Sequence, residues 1–154
     1  MAPSQGAQLA LLLLGGFHSM VDEVVPELDR RGHAGVTPVH EFALRAIAGG
    51  ADTASALGRR LSVSKQAAAK TIAALEQLGY VARAPDAADA RRKRIAVTPR
   101  GHDLMEVGGA LFDDVRARWA ARIGEHELQQ LEAHLGQLVQ RRTFGADDLA
   151  RDAT

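Results

Sequence analysis

The 154-residue chain contains no cysteine, which excludes disulfides, thiolate zinc sites and switching by cysteine oxidation. It has no net charge either: 19 Lys and Arg stand against 19 Asp and Glu, a balance that by itself argues against a general nucleic-acid binder. Long apolar runs are missing. The most apolar stretch, Leu9 to Phe17, is shorter than the roughly 20 residues a membrane-spanning helix needs. No Lys or Arg precedes Arg30, so the basic start of a signal peptide is absent, and a cytoplasmic protein is expected. No serine sits in a nucleophile elbow, and no glycine-rich phosphate loop follows a strand. The six histidines, at 18, 33, 40, 102, 126 and 134, form no close-spaced ligand pair. The expectation is a protein that is not an enzyme and carries no metal or cofactor.

What is present is unevenly distributed. Between Arg59 and Gly101 lie ten cations against three carboxylates, a surplus of seven, so the rest of the chain holds nine cations against sixteen acids. All three lysines, Lys65, Lys70 and Lys93, fall in this middle segment. A dipolar layout of this kind concentrates positive potential on one part of the surface, as a phosphate-binding face requires.

Ser62 to Tyr80 reads as a helix with two unlike edges. Ala68, Ile72 and Leu75 follow the spacing of a buried stripe, with Ala69 and Leu78 beside it, while Gln66, Ala67, Lys70, Thr71 and Ala74 take the other side. Ser64 is the expected N-cap and Gly79 the residue that closes the helix. A solvent face of alanines with one amide, one hydroxyl and one cation suits a narrow slot such as the major groove.

A first helix is expected from about Gln8 to Arg30. Ala10, Leu13, Leu14, Phe17, Val21, Val24 and Leu28 repeat at helical spacing, and Leu9, Leu11 and Leu12 widen the stripe almost around the helix. Such a helix needs cover on all sides, and a second subunit is the natural source. Pro26 should kink or interrupt it. Thr37-Pro38 then starts a second helix, with Val39, Phe42, Ala43, Ala46 and Ile47 inward and Gly49-Gly50 ending it. Asp52 or Thr53 caps a short helix through Leu61, in which Ala54, Leu57 and Gly58 pack against neighbours. Two short helices joined by a tight turn form a helix-turn-helix.

Beyond Gly79 the period becomes alternating. Tyr80 to Arg83 and Arg94 to Val97 read as strands around a turn at Pro85 to Ala90, with Ile95 and Val97 inward. The hairpin carries Arg91-Arg92-Lys93-Arg94, four cations that repel one another unless a polyanion is present. Thr98-Pro99 starts a long helix ending near Ile123 with Leu104, Leu111, Val115 and Trp119 on one face, and Gly108-Gly109 serving close helix packing. A last helix from about Glu125 to Arg142 places Leu128, Leu131, Leu135, Leu138 and Val139 in a coiled-coil-like seam. The polar tail from Gly145 to Thr154 is expected to fray.

Residues 53 to 101 resemble the winged helix-turn-helix core of the MarR family of bacterial transcriptional regulators. The most specific part is Asp89 to Gly101, similar to the family's Asp-x-Arg, basic-apolar strand and Thr-x-x-Gly signature; Leu75-Glu76, Gly79-Tyr80-Val81 and Arg83 also fit. Two departures are Gly58, where the family commonly has alanine, and a recognition face poor in polar side chains. The resemblance implies a mostly α fold with a small β-hairpin wing (α+β), a single domain over 1–154. It implies a winged core at 37–101 and dimerisation helices at 7–31 and 102–142, interleaved in a homodimer. It implies double-stranded DNA as partner. Ser64, Lys65, Gln66, Ala67, Lys70 and Thr71 would serve the major groove, and Arg91 would enter the minor groove, oriented by Asp89. Arg92, Lys93 and Arg94 would complete the wing's DNA contacts. Many members release DNA when a small aromatic or phenolic molecule binds, and Phe17, His18, His40, Arg45 and Trp119 are the candidates to hold one here. The alternative is a winged-helix protein–protein interaction module, against which the wing's cation run speaks.

Overall fold

The computed structural model describes residues 1–2 and 4–139. Its elements are α1 (Gln5–Arg30), α2 (Pro38–Ala48), α3 (Ala54–Leu61), α4 (Lys65–Gln77), β1 (Val81–Pro85), β2 (Lys93–Val97), α5 (Pro99–Ile123) and α6 (Glu125–Val139). The expected end of the last helix at Arg142 and the tail at 145–154 lie outside the described residues.

Local chemistry sets most of the helix starts. Thr37, Thr53, Ser64 and Thr98 each take extended backbone and accept a backbone N–H three residues on, from His40, Ala56, Ala67 and Gly101 respectively. Pro38 and Pro99 occupy first-turn positions, where a missing N–H costs nothing. Of the two candidates for the cap of α3, Thr53 takes the role and Asp52 is left for another. The turn between α3 and α4 passes Ser62 through the left-handed region at φ 55°. Gly58 explains itself there: a Cβ would lie 3.0 Å from the Val63 carbonyl oxygen and 3.3 Å from that of Ser64, so this tight turn is built around a missing methyl group.

β1 and β2 pair antiparallel, Val81 opposite Val97 and Pro85 opposite Lys93. Each strand is offset by a residue or so from expectation, because the ladder extends to the turn rather than stopping with the apolar alternation. Ile95 is buried and its N–H donates to the Asp52 carbonyl at 2.9 Å, so the loop before α3 docks on β2. Gly101 shows why a glycine closes the Thr-x-x-Gly pattern, since a Cβ would sit 2.3 Å from the Tyr80 carbonyl oxygen.

The core gathers Leu44, Ile47, Leu57, Ala68, Ile72, Leu75, Tyr80, Leu104 and Val115 with Val24 and Leu28 of α1. The stripe of α4 is buried at Ala68, Ile72 and Leu75, whereas Ala69 is exposed. In α2, Val39 faces outward, and Leu44 and Glu41 take the inward places beside Ala43, Ala46 and Ile47. The Glu41 carboxylate packs where Gly108 has no side chain: a Cβ there would lie 2.7 Å from it.

α1 corrects two expectations. It runs unbroken through Pro26, and although Leu9–Phe17 is too short by itself, the whole helix is by length and composition apolar enough to cross a membrane. Only Val24 and Leu28 are buried; Leu9, Leu11, Leu12, Leu13 and Leu14 are 47 to 67% exposed. On α6 only Leu128 of the expected seam is buried.

Candidate nucleic-acid interface

α4 displays a short, mostly small-residue face. Lys65, Gln66, Ala67, Ala69, Lys70 and Ala73 are exposed, Thr71 and Ala74 half-buried. Thr71 Oγ1 spends its hydrogen within the helix, donating to the Ala67 carbonyl at 3.2 Å, whereas Ser64 Oγ accepts the Ala67 N–H at 3.0 Å and keeps its own hydrogen to give. Exposed donors on this face are thus the Ser64 hydroxyl, the Gln66 amide and the Lys65 and Lys70 ammonium groups, among methyl groups.

The wing follows directly from α4. Arg83 on β1 reaches back to Glu76 at 3.5 Å, holding the hairpin beside the helix. Its turn is internally bonded: Asp86 N–H donates to the Arg92 carbonyl, Arg92 N–H to the Asp89 carbonyl, and the Asp86 and Asp89 carboxylates accept the Ala88 and Arg91 N–H groups at 3.0 Å. Asp89 therefore shapes the turn through the Arg91 backbone. The Asp86 carboxyl is held below the usual carboxylate range, first by the Ala88 N–H and then by Arg94.

The basic segment divides by task. Arg100 donates to the carbonyls of Leu78 and Gly32 and lies over the Tyr80 ring at 4.9 Å. Arg94 is bound by Asp52 and Asp86. By contrast, Lys65, Lys70, Arg91, Arg92 and Lys93 are exposed and form no salt bridge among the described residues, although Arg92 lies near enough to Asp86 to help lower its pKa. Close-set cations without internal salt bridges are what a polyanion would neutralise.

Behind this face lies a polar network that sequence reasoning missed. His33, 1% exposed, sits 3.0 Å from the Tyr80 hydroxyl through Nδ1 and 2.9 Å from Asp103 through Nε2. It joins the end of α1, the end of α4 and the start of α5. Its partners are 47 and 70 residues away, so no local pattern announces it.

The candidate ligand residues gather only in part. The Phe17 ring lies tilted against those of His18 and Phe42, with centroids 5.9 and 6.2 Å apart, and Trp119 approaches α1 at Gly16. Arg45 donates to buried Glu41 at 2.7 Å and to the Met105 carbonyl at 3.0 Å. His40 belongs to the capping box of α2, its Nδ1 accepting the Thr37 N–H, and desolvation lowers its pKa. Among the described residues no group of three or more His, Asp or Glu could hold a metal ion.

Comparison with known proteins adds family and fold. The MarR family profile matches residues 34–92. No curated protein matches the chain in sequence. Similar solved structures include the S. aureus MepR–DNA complex, at 21% identity and TM-score 0.67, covering 88% of this chain and 98% of that one. A MarR-family regulator from Rhodococcus sp. RHA1 is 19% identical with TM-score 0.67, covering 89% and 97%. YusO from Bacillus subtilis is 23% identical with TM-score 0.62, covering 90% and 99%. The resemblance to the MarR family is thus borne out: the family profile matches residues 34–92, which take in α4 and the first part of the wing, and the described fold is the winged-helix fold of MarR-family structures.

Proposed function

We propose that the protein is a sequence-specific, DNA-binding transcriptional regulator, a repressor that acts as a homodimer on an inverted-repeat operator. The observation that carries this reading is the set of exposed cations on α4 and the wing that form no salt bridge among the described residues, set beside arginines of the same segment that are internally bonded. A helix face of Gln66, Lys70 and alanine methyls fits direct readout, in which an amide suits adenine, a cation guanine and a methyl group the thymine methyl. Arg91, Arg92 and Lys93 fit the phosphates and minor groove beside it. An interaction module would have no use for them. The MepR–DNA complex, a structure of the same fold, supports the reading.

The second copy is the occupant best suited to the apolar surface of α1. Five leucines on α1 with Ile123, Leu131, Leu138 and Val139 are exposed on the terminal helices, and burying such a set against a twin is favourable by about 25 cal/mol per Å² of apolar area. A bilayer suits α1 less well, because its second half carries Asp22, Glu23, Glu27 and Asp29, with Glu23 paired to Arg118 of α5. This assignment makes the protein cytoplasmic and gives 7–31 and 102–142 to dimerisation and 37–101 to DNA.

Release by a small aromatic or phenolic ligand follows from the ring cluster of Phe17, His18 and Phe42 near Arg45. S. aureus MepR, of similar fold, has been solved bound to ethidium bromide, and a planar aromatic would suit the same kind of surroundings here. Sedimentation of the purified chain, alone and with a fluorescent duplex selected by the protein from a random pool, tests the assembly. A dimer that takes up one duplex is expected; a monomer that takes up DNA equally well would overturn the two-fold reading.

A further inference from the structure

Arg94 ends the run Arg91-Arg92-Lys93-Arg94 but is engaged unlike the other three. It stands on β2 opposite Ala84. Its Nη1 donates to Asp52 Oδ2 at 2.9 Å, and its Nε lies 3.1 Å from Asp86 Oδ2. The two carboxylates come from different places: Asp52 from the loop entering α3, Asp86 from the turn of the wing. Beside this pair, Ile95 N–H donates to the Asp52 carbonyl at 2.9 Å, so the loop is bound to adjacent β2 residues through both backbone and side chain. The guanidinium is a rigid planar fork, and with two of its edges committed it fixes direction as well as charge.

An exposed ion pair ordinarily holds little by itself. Here, two acids and a backbone bond converge on one strand, and they join the helix-turn-helix to the tip of the hairpin. A carboxylate on a phosphate-binding surface works against affinity unless it is neutralised internally. Asp52 and Asp86 share the single positive charge of Arg94, which offsets one of their two negative charges and holds both acids in place.

We propose that Arg94 is a positioning residue: held by Asp52 and Asp86, it sets the wing on the helix-turn-helix so that Arg91, Arg92 and Lys93 reach the DNA backbone while α4 is seated, and it neutralises no phosphate itself. The inference rests on the DNA-binding reading. It carries a reversed sign: changing an acid to its amide beside a polyanion should tighten binding by simple electrostatics, whereas loosening the wing should weaken it.

The test uses the full chain as Asp52→Asn, Asp86→Asn, Arg94→Gln and the swap Asp52→Arg with Arg94→Asp. Hydrogen exchange of the Ile95 amide in the free protein is read against Ile72 in α4. DNA binding is read on a duplex that the parent enriches from a random pool, as a function of salt. Faster exchange at Ile95 with Ile72 unchanged is expected in Asp52→Asn and Arg94→Gln. All three single variants should bind about three- to fivefold more weakly, and the swap should recover part of the loss. A parent that enriches no duplex would defeat the DNA reading and this proposal with it. If the parent enriches one and the Asn variants bind it as tightly or more tightly, only the proposal falls. It falls too if Arg94→Gln lowers the salt slope with Ile95 exchange unchanged, for then Arg94 is a phosphate contact.

Discussion

Replacing His33 with Phe keeps the ring and removes both of its polar contacts. Asp103, 64% exposed on its side chain, turns back to water at little cost. Tyr80 cannot, because it is fully buried and its hydroxyl keeps only a 3.5 Å approach from Arg100. The cost is therefore that of one buried hydroxyl losing its partner, about 1–3 kcal/mol. For a chain of this size each kcal/mol moves the melting temperature by roughly 2–4 °C. Urea unfolding at pH 8 and fixed protein concentration should show a lower midpoint with an unchanged slope. The double variant His33→Phe with Tyr80→Phe should recover most of the loss, since an apolar pair of similar shape leaves nothing unsatisfied. Equal stability of His33→Phe and the parent, or strict additivity in the double variant, would refute the argument.

Three further outcomes follow from the same structure. Gly101→Ala should destabilise by about 1–3 kcal/mol because its Cβ meets the Tyr80 carbonyl and the Val97 side chain; thermal melting checks it. Lys70→Ala or Gln66→Ala should weaken binding to a selected duplex by about 1–3 kcal/mol where a base contact is lost, with melting unchanged, as read by fluorescence anisotropy. Lowering the pH through about 6.5, the ordinary imidazole value, should reduce stability. The desolvated His40 has a lowered folded pKa, so the unfolded chain takes up the proton first; His40→Gln should lose less stability than the parent between pH 8 and pH 5.5 in urea melts.

Helix starts were legible because each depends on a few adjacent residues: Thr37-Pro38, Ser64 and Thr98-Pro99 fall where the sequence places them. The stripe of α4 was legible for the same reason, up to Ala69, whose side chain is small enough to sit at the edge of either face. Burial on α1 was not readable one chain at a time. Its apolar pattern runs almost the length of the helix, while this chain's own core buries only Val24 and Leu28 of it. Glu41 and His33 escaped notice because what admits a polar group to the core is a partner far along the chain: Gly108 for the first, Tyr80 and Asp103 for the second. Charge was the least legible quantity. Arg91 and Arg94 are alike in sequence and both exposed, and only the fold, by bringing Asp52 across to β2, gives Arg94 a salt bridge that Arg91 does not make among the described residues.

The central claim is that α4 and the wing read a particular DNA sequence in a two-fold arrangement. Footprinting the purified protein on the DNA flanking its own gene tests it most directly. The expected result is a protected inverted repeat whose half-sites lie about one helical turn apart, persisting at salt that removes non-specific binding and lost in Lys70→Ala. Uniform, salt-labile protection with no preferred site, or a preferred site unaffected by changes to Gln66, Lys70 and Arg91, would contradict it.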